Sequence, residues 1–201
     1  MMTIFSAIVA MAFPAASLAA GNASSPRAFV ERIAQSSLGI IERQDAVQAG
    51  GVFMHSFDIR AFAQRCLVDH WTALTDDQRS EFVDLFSKTL RAKLADALSK
   101  RIKGRVLNYT VGTAKAGAQR GIVEVAARVA VDGERIDLTY YLKRSTDGYR
   151  LVDYDVGGAL LSRNYRGQFN YLMRNYGYAG MIERMRQKAE VTRSPSLASR
   201  E

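Results

Sequence analysis

One cysteine, two histidines and three prolines are all that 201 residues contain of those types. With Cys66 as the single thiol no disulfide can form within the chain, and a zinc site would have to be assembled from one Cys and two His, so no metal is expected. His55 and His70 stand at no ligand spacing and read as surface or packing residues. Few prolines, 15 glycines without a period and no heptad exclude a collagen-like, low-complexity or coiled-coil chain. A Gly-rich phosphate loop, a nucleophile elbow and a zinc-protease His pair are also missing. What is there, 48% hydrophobic and 24% charged residues, is the material of one or at most two folded domains.

Acidic residues are in deficit, 20 against 28 Lys and Arg, for a formal charge of +8. Such a balance suits nucleic acid, acidic lipid surfaces or acidic proteins, and the compartment decides among them. Residues 1–20 read as a secretory signal peptide. An apolar run from Ile4 to Phe13 is followed by Pro14 and the small residues Ala15 to Gly21, with Ser17-Leu18-Ala19 and Leu18-Ala19-Ala20 as cleavage sites. The run breaks after ten residues, about half of what a membrane span needs, and no Cys follows it to take a lipid. Export argues against nucleic acid and leaves membrane lipid or other exported proteins as partners.

After the leader the chain reads as one α+β domain over 21–191 with a disordered tail at 192–201. Ser24-Ser25-Pro26 starts a first helix carrying Phe29, Val30, Ile33, Ala34, Ile40 and Ile41. Gly50-Gly51 marks a loop. Asp58 caps a second helix with Ile59, Phe62, Cys66 and His70 on one stripe and Trp71 at its end. Thr75-Asp76-Asp77-Gln78 has capping-box spacing and opens a long helix with Phe82, Leu85, Phe86, Leu90, Leu94 and Leu98 on one face and Arg91, Lys93 and Lys100 on the other.

From Gly104 the period changes to two. Leu107, Tyr109 and Val111 make one strand and Val123, Val125, Ala127, Val129 and Val131 the next. A type I′ turn at Asp132-Gly133 leads to Ile136, Leu138, Tyr140 and Leu142, and a turn at Thr146-Asp147-Gly148 to a fourth strand with Val152, Tyr154 and Val156 on one side. Four antiparallel strands with one apolar face each must be covered by the helices. Leu161, Tyr165, Phe169, Leu172 and Tyr176 then mark a helix that Gly177 caps, and Met181, Ile182 and Met185 a last short one.

Chemistry is thinly represented. Asp153 and Asp155 share a strand face, yet a pair on one strand cannot straddle a sugar, and it reads better as meeting Arg or solvent. Cys66 lies on an apolar stripe and reads as a small buried hydrophobe. Between Arg163 and Arg193 seven basic residues face only Glu183 and Glu190. Arg163 and Arg166, three apart on one helix face, suit anionic head groups or an acidic partner. The alternative is a solvated face with Arg166 paired to Asp153 or Asp155.

Phe57-Asp58, Trp71, the Thr75 to Arg79 cap, Tyr149-Arg150-Leu151-Val152-Asp153-Tyr154-Asp155-Val156, Gly158 and Asn164-Tyr165-Arg166-Gly167-Gln168-Phe169 together carry a resemblance. Over roughly residues 57–188 the chain resembles the toluene-tolerance or Mla periplasmic family, the exported phospholipid-binding components of bacterial ABC-type lipid transport systems. Leu160 stands where that family usually has Ser, and Asn175 to Gly180 replaces its Gly-Gly-Ile-Asp-Gly, which leaves the lipid open, a hopanoid-associated member included. The resemblance implies helices packed on one face of a curved antiparallel meander, a nuclear-transport-factor-like cone with an apolar cavity. It also implies a periplasmic carrier without cofactor or catalysis, exchanging phospholipid with a membrane-bound ABC transporter complex and an outer-membrane lipid donor or acceptor complex.

Two tails of about 15 methylenes each represent roughly 24 kcal/mol of apolar burial at about 0.8 kcal/mol per methylene, so only near-complete enclosure can hold them. The expected cavity residues are Phe62, Phe86, Leu90, Leu94, Val123, Val125, Val129, Tyr140, Tyr154, Leu161, Tyr165 and Phe169, with Arg163 and Arg166 at the head group or a partner. For any single one of these a dry core is the better reading, since apolar stripes usually mean core. Two rival classes are an enzyme of the same cone shape, isomerase-like or dehydratase-like, and a non-catalytic envelope interaction module.

Overall fold

Ser25 opens the first helix: its hydroxyl accepts the amide of Ala28 at 3.1 Å, and Pro26 fills the first helical position, where no amide is needed. The structure is a computed structural model and describes residues 25–42, 45–102, 107–131 and 133–193. The leader and its cleavage region, Gly104, Asp132 of the expected hairpin and residues 194–201 lie outside the described residues, as do the side chains of Ile40, Ile41, Leu98, Leu107 and Val131. Helix α1 runs Pro26–Glu42, α2 Ala46–His55, α3 Ile59–Leu67, α4 Asp69–Ala73 and α5 Asp76–Ile102. Strands β1 Leu107–Ala116, β2 Ile122–Val131, β3 Glu134–Ser145, β4 Gly148–Val156 and β5 Ala159–Leu160 follow, and α6 Leu161–Arg193 ends the described chain. Residues 192 and 193, placed in the expected tail, are the last two of α6.

The expected loop at Gly50-Gly51 is instead the middle of α2, which Asp45 caps by accepting the Gln48 amide at 2.8 Å. A side chain at Gly50 would stand 3.5 Å from the Ala95 backbone, an ordinary contact, so α2 packs on α5 at a distance that a methyl group there would also allow. The helix expected from Asp58 to Trp71 is two helices. Asp58 does cap α3, accepting from Ala61 at 2.9 Å, but Val68 breaks the run at φ 49° and His70 passes to α4. The break turns Trp71 inward, where it is 7% exposed, with the guanidinium groups of Arg60 and Arg79 5.4 and 5.7 Å from its ring centre. The capping box forms as its spacing predicts: Gln78 donates its amide to Thr75 Oγ1 at 3.2 Å, and Gln78 Oε1 accepts the Thr75 amide at 3.0 Å.

The sheet is an antiparallel meander in the order β1-β2-β3-β4-β5, one short strand more than the four expected. Leu142 lies opposite Leu151 and Tyr141 opposite Asp153, so Val152 is an extra residue, a bulge. The bulge overturns the expected alternation of Val152, Tyr154 and Val156. It places Leu151 beside Leu142 and Tyr154 beside Tyr140, and buries Leu151, Val152 and Asp153 in succession. Val125 and Ala127 are buried on β2, with Val123 and Val129 packed against the same interior, while Arg128 faces out and meets Asp137 at 2.6 Å. This is an α+β fold, helices packed against an open antiparallel sheet.

Gly177 interrupts α6 at φ 63°, ψ −174°, and the helix resumes to bury Met181, Ile182 and Met185. Its second half is fastened to α5: the Tyr178 hydroxyl lies 2.7 Å from Glu81 Oε2 and 2.8 Å from the Gln78 carbonyl, and Arg186 donates to the other Glu81 oxygen.

Candidate functional site

All twelve expected cavity residues face one interior. Phe62, Phe86, Leu90, Val125, Tyr140, Tyr165 and Phe169 are buried in a single apolar cluster, and Leu94, Val123, Val129, Tyr154 and Leu161 pack against it. Its densest part is aromatic. Phe62 stacks on Phe86 at 5.6 Å, and Phe86 meets Tyr165 and Phe169 edge-on at 4.9 and 5.2 Å. Helix α5 packs chiefly on α2, α3 and α6, whereas the sheet is met mainly by α1, α3 and α6. The space between α5 and the sheet is therefore filled by side chains, those of Phe86 and Leu90 from one side and Val125 and Tyr140 from the other.

A chain of three phenols crosses this interior. Tyr109 donates to the Tyr140 hydroxyl at 2.7 Å, reaching over β2 where the small Ala127 leaves room, and the rings of Tyr140 and Tyr154 lie 4.9 Å apart. Burial raises the pKa of all three. At neutral pH they are hydrogen-bond donors and poor bases.

Two concavities lie between helices. One of about 560 Å³ lies between α1 and α2, lined by Phe29, Ile33 and Val52 with Arg32, Gln48 and His55 at its polar side. The second, about 210 Å³, lies between α5 and α6 over Phe86, Tyr165 and Phe169, with Lys93, Arg184 and Lys188 around it. Sequence reasoning missed both. It placed Lys93 on the solvent face, yet Lys93 follows Phe86 and Leu90 at spacings of four and three and falls on the apolar stripe. The structure half-buries it with Nζ 5.0 Å from the Tyr165 ring centre and 3.5 Å from its hydroxyl. Burial, and then the charge of Lys188, lower its pKa.

Arg163 and Arg166 are exposed, and Arg166 donates to the Arg65 carbonyl at 3.3 Å. The expected pairing of Arg166 with Asp153 is replaced by another arrangement. Asp153, 1% exposed, accepts the Ser162 hydroxyl at 2.5 Å and the amides of Tyr154 and Ser162 at 2.9 and 3.1 Å, capping the start of α6. Asp155 accepts the Gly158 amide at 2.8 Å in the turn before β5. Burial, with Asp153 adding, pushes the Cys66 thiol up, which suits a packing role. Among the described residues no cluster of His, Cys, Asp and Glu could hold a metal ion, and no helix is long and apolar enough to cross a membrane.

A family model described as MlaC protein matches residues 27–187. Among solved structures, the chain is similar to the phospholipid-binding protein from Ralstonia solanacearum determined in complex with a phospholipid. The TM-score is 0.72 at 21% identity, over 83% of this chain and 98% of that one. No curated protein matches the chain.

Proposed function

This chain belongs to the MlaC protein family, and from that premise we propose that it is a periplasmic carrier that encloses the acyl chains of a phospholipid and shuttles it between membrane complexes. The observation that carries the reading is the apolar interior enclosed by the helices and the sheet, into which Phe62, Phe86, Leu90, Val125, Tyr140, Tyr165 and Phe169 are buried together. Two acyl chains occupy that space by parting side chains that now touch one another, Phe86 and Leu90 from Val125 and Tyr140. The Ralstonia solanacearum protein, which has the same fold, holds a phospholipid. The partners are a membrane-bound ABC transporter complex and an outer-membrane lipid donor or acceptor complex, and the leader of residues 1–20 delivers the chain to them.

Native mass spectrometry on protein purified without detergent tests the reading. We expect about one phospholipid per chain, since an apolar space of this kind captures whatever lipid is available. Chains that arrive uniformly lipid-free, and stay so after incubation with phospholipid vesicles, would overturn it.

A further inference from the structure

The first half of α6 turns a face to solvent that the fold does not use. Arg163, Gly167, Tyr171 and Arg174 follow one another at spacings of four, four and three, so they share one stripe, and all four are exposed. No Asp or Glu stands between Asp155 and Glu183 in the chain. Among the described residues no carboxylate pairs with Arg163 or Arg174, whereas Arg186, farther along the helix, is paired with Glu81. Tyr171 is 59% exposed and its ring is braced: it meets Tyr176 edge-on at 6.2 Å, and the Arg184 guanidinium lies over the Tyr176 ring, 3.4 Å from its centre. Gly167 lies between these side chains. Its backbone is ordinary helix and a Cβ there would meet nothing within 4 Å, so neither turn geometry nor internal packing calls for glycine. Glycine weakens a helix interior, and a bare backbone on an exposed stripe serves where a second surface comes close.

The chemistry of the stripe suits a protein better than a bilayer. No lysine stands between Lys143 and Lys188, and the planar fork of arginine takes a carboxylate through two parallel hydrogen bonds. A helix lying in a membrane surface puts Trp, Phe or Leu into the acyl boundary, but this stripe is flanked by Arg166 and by Asn164, Asn170 and Asn175. Exposed Tyr and Arg are the residue types on which protein interfaces centre. We propose that this stripe of α6 is a docking surface for a partner protein with an acidic face: Arg163 and Arg174 hold its carboxylates, Tyr171 packs between them, and Gly167 lets the two surfaces close. As the face by which a carrier meets one of its membrane complexes the inference rests on the carrier reading; the surface itself does not depend on lipid being carried.

The test places a benzophenone amino acid at Asn164, on the edge of the stripe, in the full chain expressed in the cells it comes from. Irradiation should join the chain to one envelope protein, through a peptide that mass spectrometry shows to carry neighbouring Asp or Glu residues. The adduct should fall by about tenfold or more in Arg163→Glu/Arg174→Glu, where like charges now meet, and in Gly167→Leu, where the surfaces are held apart. Lys88→Gln/Lys143→Gln, which removes two exposed charges elsewhere, should keep it. Circular dichroism and melting should match the parent in all three, since Leu at position 167 fills open space and favours helix. No adduct, an adduct through a peptide without carboxylates, or one that survives both stripe variants overturns the proposal. Sedimentation with vesicles of phosphatidylglycerol and phosphatidylethanolamine, abolished by Arg163→Glu/Arg174→Glu, would assign the stripe to the bilayer and overturn it as well. Chains found lipid-free by native mass spectrometry that still form the charge-dependent adduct would remove the carrier reading and leave the docking surface standing.

Discussion

Asp153 is a carboxylate held inside an aromatic and aliphatic interior, and it is tolerable there because three donors, two amides and the Ser162 hydroxyl, close on it at the positive end of α6. Removing it leaves those donors buried without an acceptor. We therefore expect Asp153→Ala to cost about 3 kcal/mol, and Asp153→Asn, which keeps an oxygen for the amides, about 1 kcal/mol. Urea unfolding monitored by circular dichroism measures both, and an Ala variant as stable as the parent would show that this cap carries no weight. The residue types around Asp153 were legible in the sequence, but its partner was not. A strand of strict alternation puts Asp153 outside with Asp155, and only the extra residue at Val152 and the return of α6 across the strand enclose it. Cys66 was readable, because an apolar stripe at helical spacing already implies burial, and burial alone keeps its thiol protonated.

Among the elements, those with a clean period were legible: α1, α5, the first half of α6, and β1 to β4. Those set by glycine or by a local break were not. Gly50-Gly51 carries turn chemistry in isolation, yet in the fold both lie inside α2, which Asp45 caps and α5 packs against. Nothing local marks Val68, a β-branched residue at positive φ, as the end of a helix. Gly177 was legible as a stop, but its conformation says more. At φ 63° and ψ −174° it occupies a region open essentially to glycine alone, and a side chain there would meet nothing within 4 Å. The cost of Gly177→Ala is therefore backbone strain, about 1 to 3 kcal/mol. Asn should fare no better, since its left-handed preference lies at another ψ. Because the kink aims Tyr178 and Arg186 at Glu81, hydrogen exchange in residues 178–188 should quicken in the variant while the sheet amides keep their protection. Unchanged exchange after the kink would mean that packing of Met181 and Met185, and not the glycine, sets its direction.

At the scale of the whole molecule, the helix-on-meander architecture and the apolar interior were legible, because both follow from counting faces. The cavities were not, since they depend on how far α5 stands from the sheet and on which of its charges face inward. The same interior sets an alkaline limit on the fold. Burial raises the pKa of Tyr109, Tyr140 and Tyr154, and burial with Cys66 pushes Tyr165 up to about 12. In the unfolded chain all four ionise near pH 10. Below that pH both states keep the phenolic protons and stability does not depend on them. Above it the unfolded chain releases protons that the folded chain retains, so stability falls with rising pH by about 1.4 kcal/mol per phenol per pH unit. Lys93, with its pKa lowered, works in the opposite direction but only below about pH 10.4, where the unfolded chain binds the extra proton. Against a total stability of about 5 to 15 kcal/mol, four phenols exhaust the fold within roughly one to three pH units above 10. Absorbance at the phenolate band should therefore rise in a cooperative step that coincides with the loss of circular dichroism. A smooth titration of all nine tyrosines near pH 10 with the circular dichroism intact would show that water reaches the phenols, and would overturn the closed interior described for this fold.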